Sequence, residues 1–170
     1  MKDKWTFKII IIAFFISFLF SFGTETIMPN VNLISSIVIL LLFIFIGIIF
    51  DMVGVAVTTC DVKPFHSMSS KKIKSAKVGI RLIQNADKVS SFCNDVIGDI
   101  CGIISGSCGV IIANTLSIKL NFNLLLASLI VTSLIASLTI GGKAIGKKTA
   151  LNNNINIIHT FSKILSIFVK

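Results

Sequence analysis

Charge is scarce in this chain. Of its 170 residues only 14% are Asp, Glu, Lys or Arg, where soluble domains carry about 25%. Acids are rarer still, with seven Asp+Glu in all and Glu25 the single glutamate. The cysteines Cys60, Cys93, Cys101 and Cys108 contain no Cys-x-x-Cys pair, which leaves no zinc signal of the usual spacing. No Ser/His/Asp spacing of a hydrolase is present. His66, beside Pro64, and His159 have no acidic partner near them in sequence. The chain therefore reads as a non-enzyme.

Apolar residues take the place of charge. They make up 54% of the chain, more than a soluble globule of this length can hide. The expected fold is an all-α integral membrane protein with about four transmembrane helices and amphipathic juxtamembrane helices. The apolar runs are Trp5–Phe22, Leu33–Val57, Val89–Leu116 and Leu124–Ile140. At about 1.5 Å per residue each crosses, or nearly crosses, the roughly 30 Å of hydrocarbon. Continuous runs do not alternate as barrel strands do. Spans of this length use about half the chain and leave no room for a large extramembrane domain.

A net charge of +9 would suggest nucleic acid in a soluble protein. Here it reads as basic loops on the inner side of a bilayer, with no nucleic-acid partner. Lys2, Lys4 and Lys8 precede the first run, and Lys63 to Lys88 lie between the second and third. Lys143 to Lys170 follow the fourth, and only Lys119 falls on the other side. The N-terminus, the loop 58–88 and the tail are thus expected inside, in the plasma membrane of a prokaryotic cell. Residues 1–32 read as a retained span with a short outer loop. The alternative is a signal peptide cleaved near Ser21-Phe22-Gly23, which leaves the remaining topology unchanged.

The inner loop carries a helical signal of its own. Ser69 or Ser70 can cap a helix in which Ile73, Ala76, Ile80 and Ile83 share a face. Lys71, Lys72, Lys74, Lys77 and Arg81 take the other faces. This is a basic amphipathic helix, its apolar stripe toward headgroups or the bundle. In the tail, Gly141-Gly142 is expected to break the fourth span and Asn152-Asn153-Asn154 to interrupt any helix before 155. Ile157, Phe161, Ile164 and Phe168 then form the stripe of an interfacial helix within 143–170.

The third span is the most informative. On a helical wheel Asp95, Asp99, Gly102, Gly106, Gly109 and Ala113 share one stripe, flanked by Gly98, with Cys93, Cys101 and Cys108 opposite as small apolar fillers. Gly98, Gly102 and Gly106 permit close approach of another helix. The acids need a further reason, because a mid-membrane Asp costs about 2.5–3.5 kcal/mol. Asp51 and Asp95 each lie about six residues, or about 9 Å, from the inner end of their spans. With Asp99 one turn deeper, the three carboxylates predict a shared cation, and Mg²⁺ is a hard ion that takes such oxygens. Ser128, Thr132 and Thr139 offer more oxygens on the fourth span.

In order, these features resemble the transmembrane domain of the cyclin-M (CNNM) and CorB/CorC family of magnesium transporters, over about 33–168. The family phrase F-F-S-x-x-E-x-A-L-T-S is matched by Phe50-Asp51-Met52-Val53-Gly54-Val55-Ala56-Val57-Thr58-Thr59. L-L-x-N-P-D-R is matched by Leu82-Ile83-Gln84-Asn85-Ala86-Asp87-Lys88, and G-E-x-L-P-K by Gly142-Lys143-Ala144-Ile145-Gly146-Lys147. The resemblance implies a homodimer of three-span protomers, juxtamembrane helices and a cation site among small polar residues. It implies 33–170 as the membrane domain, without the cytosolic regulatory domain that normally follows. Asp51 stands where the family has Ser, Gly54 where it has Glu, Lys143 where it has the second Glu. Asp99 in Ile97-Gly98-Asp99 corresponds, with a gap, to the Asn of I-G-N.

Two functions follow as expectations. One is a Mg²⁺ transporter or exchanger with Asp51, Asp95 and Asp99 as ligands. The other is a non-transporting membrane protein that dimerises, or binds a larger membrane partner, through the glycine-rich helix 96–116, with Lys143 neutralising one Asp as an ion pair.

Overall fold

A computed structural model describes residues 2–27, 31–121 and 123–168. Among them the chain is helical with no strand. The elements are α1 (Lys2–Ile27), α2 (Leu33–Thr59), α3 (Lys63–Ser70), α4 (Lys74–Gln84) and α5 (Ala86–Ser91). A π-helical segment Phe92–Gly98 leads into α6 (Asp99–Leu120), followed by α7 (Leu124–Asn152) and α8 (Asn154–Phe168). Four helices, Ile9–Thr26, Leu33–Thr59, Ala86–Leu120 and Leu124–Asn152, are long and apolar enough to cross a membrane. Their outward residues are apolar: Phe14 and Phe18 on α1, Val38 and Phe45 on α2, Leu129 and Leu138 on α7 are all exposed. Such a surface is stable only in lipid, and the protein is membrane-embedded. Part of the outer loop expected over 23–32 falls at 28–30, outside the described residues, and α1 already covers its start as far as Ile27.

The chain forms two compact units. The first comprises Met1–Ile48 and Val96–Gly142. Its core is a four-residue ridge on α6, Ile100, Ile104, Cys108 and Ile112, packed with Leu40 and Ile44 of α2. Ile9, Ala13 and Ile16 of α1 and Val131 and Ile135 of α7 close around it. Small residues allow the approach. A Cβ on Gly47 would stand 3.1 Å from the Cβ of Cys101, and one on Gly109 would meet Ile135. Asn121, in the left-handed conformation (φ 50°), ends α6, a position that Asn tolerates. Asn123 then starts α7, its side-chain oxygen accepting from the Leu125 N–H at 2.9 Å, an N-cap bond.

The second unit comprises Ile49–Asp95 and Lys143–Lys170. Val53, Ala56 and Val57 of α2, with Cys60 just beyond it, pack with Phe65 of α3, Cys93, Ala150 of α7 and Ile158 of α8. Phe65 is fully buried, a gain of roughly 1.5–3 kcal/mol, and its ring fills the space a side chain on Gly79 would need. Asn154 ties α8 to the end of α2, its side-chain amide donating to the Thr59 carbonyl at 2.9 Å.

Several expectations change. The start of the inner loop is a helix, α3, because Pro64 sits in its first turn, where a missing N–H costs nothing. Ser69 and Ser70 therefore belong to α3 and do not cap α4, whose N-cap is Ile73 without a side-chain bond. The buried face of α4 is Ser75, Ala76 and Gly79, turned to protein. Gly141-Gly142 does not break α7, which runs on to Asn152. Two glycines cost about 1 kcal/mol each in helix propensity, but tertiary packing overrides that, with Ile48 lying where a Gly142 side chain would be. The break comes at Asn153. The tail 143–170 is thus the end of α7 plus α8, and α8 buries Ile158 and Ser162 while Ile164 and Ile167 stay exposed.

Candidate ion-binding site

In the second unit, Asp51 is buried at 5% exposure in an apolar stretch of α2. A lone charge there would be costly, and Lys143 answers it: its Nζ stands 3.7 Å from Asp51 Oδ1. The other carboxylate oxygen, Oδ2, is buried and accepts no hydrogen bond. One turn on, at Gly54, the missing side chain makes room for Asn94, whose amide lies against the Gly54 backbone. Asn94 donates from Nδ2 to Ser90 Oγ at 3.4 Å. Its Oδ1 is also buried and unpartnered. Residues three apart on a helix share a face, so one face of α2 holds an acid and a glycine that receives a carboxamide. Each of these positions carries a buried oxygen with no donor.

The π-helical segment is what presents Asn94. An i→i+5 stretch shifts the facing of every residue it contains relative to an α-helix, and such stretches concentrate at functional sites. Over Phe92–Gly98 Cys93 is buried, Asn94 is half-buried and Asp95 is exposed.

The three-acid site expected from the sequence is not assembled. Among the described residues no three His, Cys, Asp or Glu side chains are grouped so as to hold a metal ion. Asp51 is buried, but Asp95 and Asp99 both lie on exposed positions. The insertion cost of a carboxylate leads to the protein interior or to water, and both of these acids take exposed positions. Thr132 and Thr139 donate back to the carbonyls of Ser128 at 2.7 Å and Ile135 at 2.8 Å, a bond internal to their own helix. Asn94 was missed; its signal was a carboxamide in the first part of a span. The ion pair foreseen between Lys143 and an aspartate is present, and Asp51 is its partner.

The glycine stripe divides. Gly98 is buried and Gly109 receives Ile135, but a Cβ on Gly102 or Gly106 would meet nothing within 4 Å. All four cysteines are buried and none is in a disulfide, in keeping with filler roles. Cys60, just beyond α2, has its thiol pKa raised by burial and further by the neighbouring Asp61 carboxylate.

Comparison of the chain with family models, with curated proteins and with solved structures gave no match.

Proposed function

We propose that this protein binds a hard divalent cation, Mg²⁺, within the membrane and carries it across. The observation that supports this is the pair of buried oxygens without donors, Asp51 Oδ2 and Asn94 Oδ1. An unsatisfied buried acceptor costs about 1–3 kcal/mol, and two at successive turns beside a π segment are what a cation would relieve. Mg²⁺ keeps several waters and takes one or two protein oxygens, so two suffice. Lys143 is the internal competitor: its ammonium holds the carboxylate when no ion is present and moves off when one enters. Exchange of ammonium for cation keeps the buried carboxylate compensated at every stage, and the competition avoids an affinity too high for release. In this reading the termini and the α3–α5 segment face the cytoplasm of a prokaryotic cell, as the distribution of Lys and Arg indicates.

The deciding experiment is Mg²⁺ flux into proteoliposomes, with wild type, Asp51→Asn and Asn94→Ala compared. The expected result is saturable uptake that Asp51→Asn abolishes and Asn94→Ala weakens. Flux no greater than in empty vesicles, from protein that is folded by its melting profile, overturns the reading.

A second reading rests on the open stripe of α6. A Cβ on Gly102 or Gly106 would meet nothing within 4 Å, and these glycines follow exposed Asp99 at three- and four-residue spacing on one face of α6. A non-transporting protein would use that face against a second copy, as a homodimer, or against a larger membrane partner, and the Asp51–Lys143 pair would be purely structural.

A further inference from the structure

We propose that the cleft between the α3–α4 junction and α8 is a binding site for a phosphate group, the headgroup of an anionic phospholipid. This inference is independent of the cation reading. The cleft is a concavity of about 530 Å³. Lys72, Lys74, Lys77 and Arg81 line it, with Ser69 and Ser166 adding hydroxyls from α3 and α8. Nothing acidic lines it, and among the described residues none of these four cations forms an ion pair.

Three observations separate this cleft from an ordinary solvated basic face. The first is the arrangement of charge. Lys74, Lys77 and Arg81 recur at three- and four-residue spacing on one stripe of α4, where like charges repel. The opposite stripe, Ser75, Ala76 and Gly79, is buried in the unit, so α4 cannot roll to spread the charges. They are held together over a concave surface, and an anion is what relieves them.

The second is Lys72. The α3 terminus closes with paired backbone bonds, Lys72 N–H to the Ser69 carbonyl at 2.9 Å and Ile73 N–H to the Met68 carbonyl at 3.2 Å, the arrangement that normally places glycine at the left-handed position. Here a lysine occupies it, at φ 60°. A non-glycine residue held in that conformation is strained by its Cβ against the following carbonyl oxygen. The sequence keeps that strain at a position whose side chain lines the cleft.

The third is the rim. Ile73 and Val78 also line the cleft, and Ile73 is 39% exposed. A charged centre with an apolar edge suits a phosphate carrying an acyl chain better than a free anion. Lysine and arginine bind phosphate through charge-assisted hydrogen bonds, and basic clusters of this size attract anionic lipid.

The test uses the full chain in mild detergent, titrated with phosphatidylglycerol, phosphatidate or phosphatidylcholine and, at fixed ionic strength, with inorganic phosphate. The readout is the shift in melting temperature. The expected result is a saturable shift with phosphatidylglycerol and phosphatidate and none with phosphatidylcholine. Lys77→Gln with Arg81→Gln should weaken the apparent affinity by about tenfold or more. Lys147→Gln with Lys148→Gln removes the same charge from exposed positions of α7 and should leave it unchanged. Lys72→Gly, which suits the backbone, should fold at least as stably and still bind less tightly. A saturable shift with inorganic phosphate alone, lost in the same variants, supports the phosphate site and makes its occupant a soluble anion. Equal weakening by both paired variants, or no saturation with any ligand, overturns the proposal and leaves only general attraction to an anionic surface.

Discussion

The carboxamide of Asn94 lies where a side chain on Gly54 would begin. The contact joins the C-terminal half of α2 to the π-helical segment, and it exists only because position 54 is glycine. Asn94 is a short, rotatable side chain, so a methyl group at 54 displaces it and leaves the backbone alone. Gly54→Ala is therefore expected to fold, with a stability change within about 1 kcal/mol. It should lower Mg²⁺ affinity as much as Asn94→Ala does, and the double variant should be no worse than either single one. Melting curves with and without Mg²⁺ on the three variants check this. Additive losses would mean that the two residues act separately.

The Asp51–Lys143 pair gives the second prediction. Removing the lysine leaves a buried carboxylate without compensation, a loss that reaches about 3–5 kcal/mol at fully buried pairs. Lys143 is 27% exposed, so water screens part of that and Lys143→Met should cost less. Restoring neutrality with Asp51→Asn in the same chain should recover much of it. If Lys143 competes with the cation, Lys143→Met should also bind Mg²⁺ more tightly and release it more slowly. The double-variant cycle in melting temperature, with Mg²⁺ titrations on each member, measures both effects.

What the sequence made legible, and what it did not, follows from physical range. The four spans were readable because an apolar run long enough to cross a bilayer has few other uses. The Asp51–Lys143 pair was within reach because an acid in α2 and a base at the end of α7 each need an answer. Asn94 was not, because its facing depends on a π turn, and nothing in Phe92–Gly98 announces one. The cost of a mid-membrane carboxylate points Asp95 to the protein interior or to water, without choosing between them, and its position is exposed. The same limit hid the run of α7 through Gly141-Gly142: propensity is local, and packing against Ile48 is not. Pro64 was read as loop, although proline in a first turn is as good a beginning as an end.

Cys60 gives a prediction in pH. Its thiol is held above its ordinary pKa, by burial first and by Asp61 second, and only the thiolate reacts with a maleimide or iodoacetamide. At neutral pH Cys60 should therefore be alkylated more slowly than a free thiol. Its rate should reach half its maximum at a pH above the roughly 8.5 at which a free thiol does so. Asp61→Asn should move the profile down only part of the way, since burial is the larger cause. Mass mapping of the labelled Cys60 peptide across the pH range reads this directly, and a profile that levels off with the free thiol would contradict it.

The outward face of α6 separates folding from association. Asp95 and Asp99 are exposed, and a Cβ added at Gly102 or Gly106 meets nothing within 4 Å. Asp95→Asn, Asp99→Asn and Gly106→Leu should therefore change the stability of the isolated protomer by no more than about 0.5 kcal/mol. Gly109→Leu collides with Ile135 and should be strongly destabilising. If the face packs against a second copy, Gly106→Leu blocks the close approach that glycine permits and should abolish crosslinking between cysteines placed along α6 in a membrane. The same substitution on a protein that works alone would leave crosslinking at the background level of wild type. Crosslinking alone is thus expected to respond at Gly106, and stability and crosslinking together at Gly109, a contrast that a general weakening of the helix cannot produce.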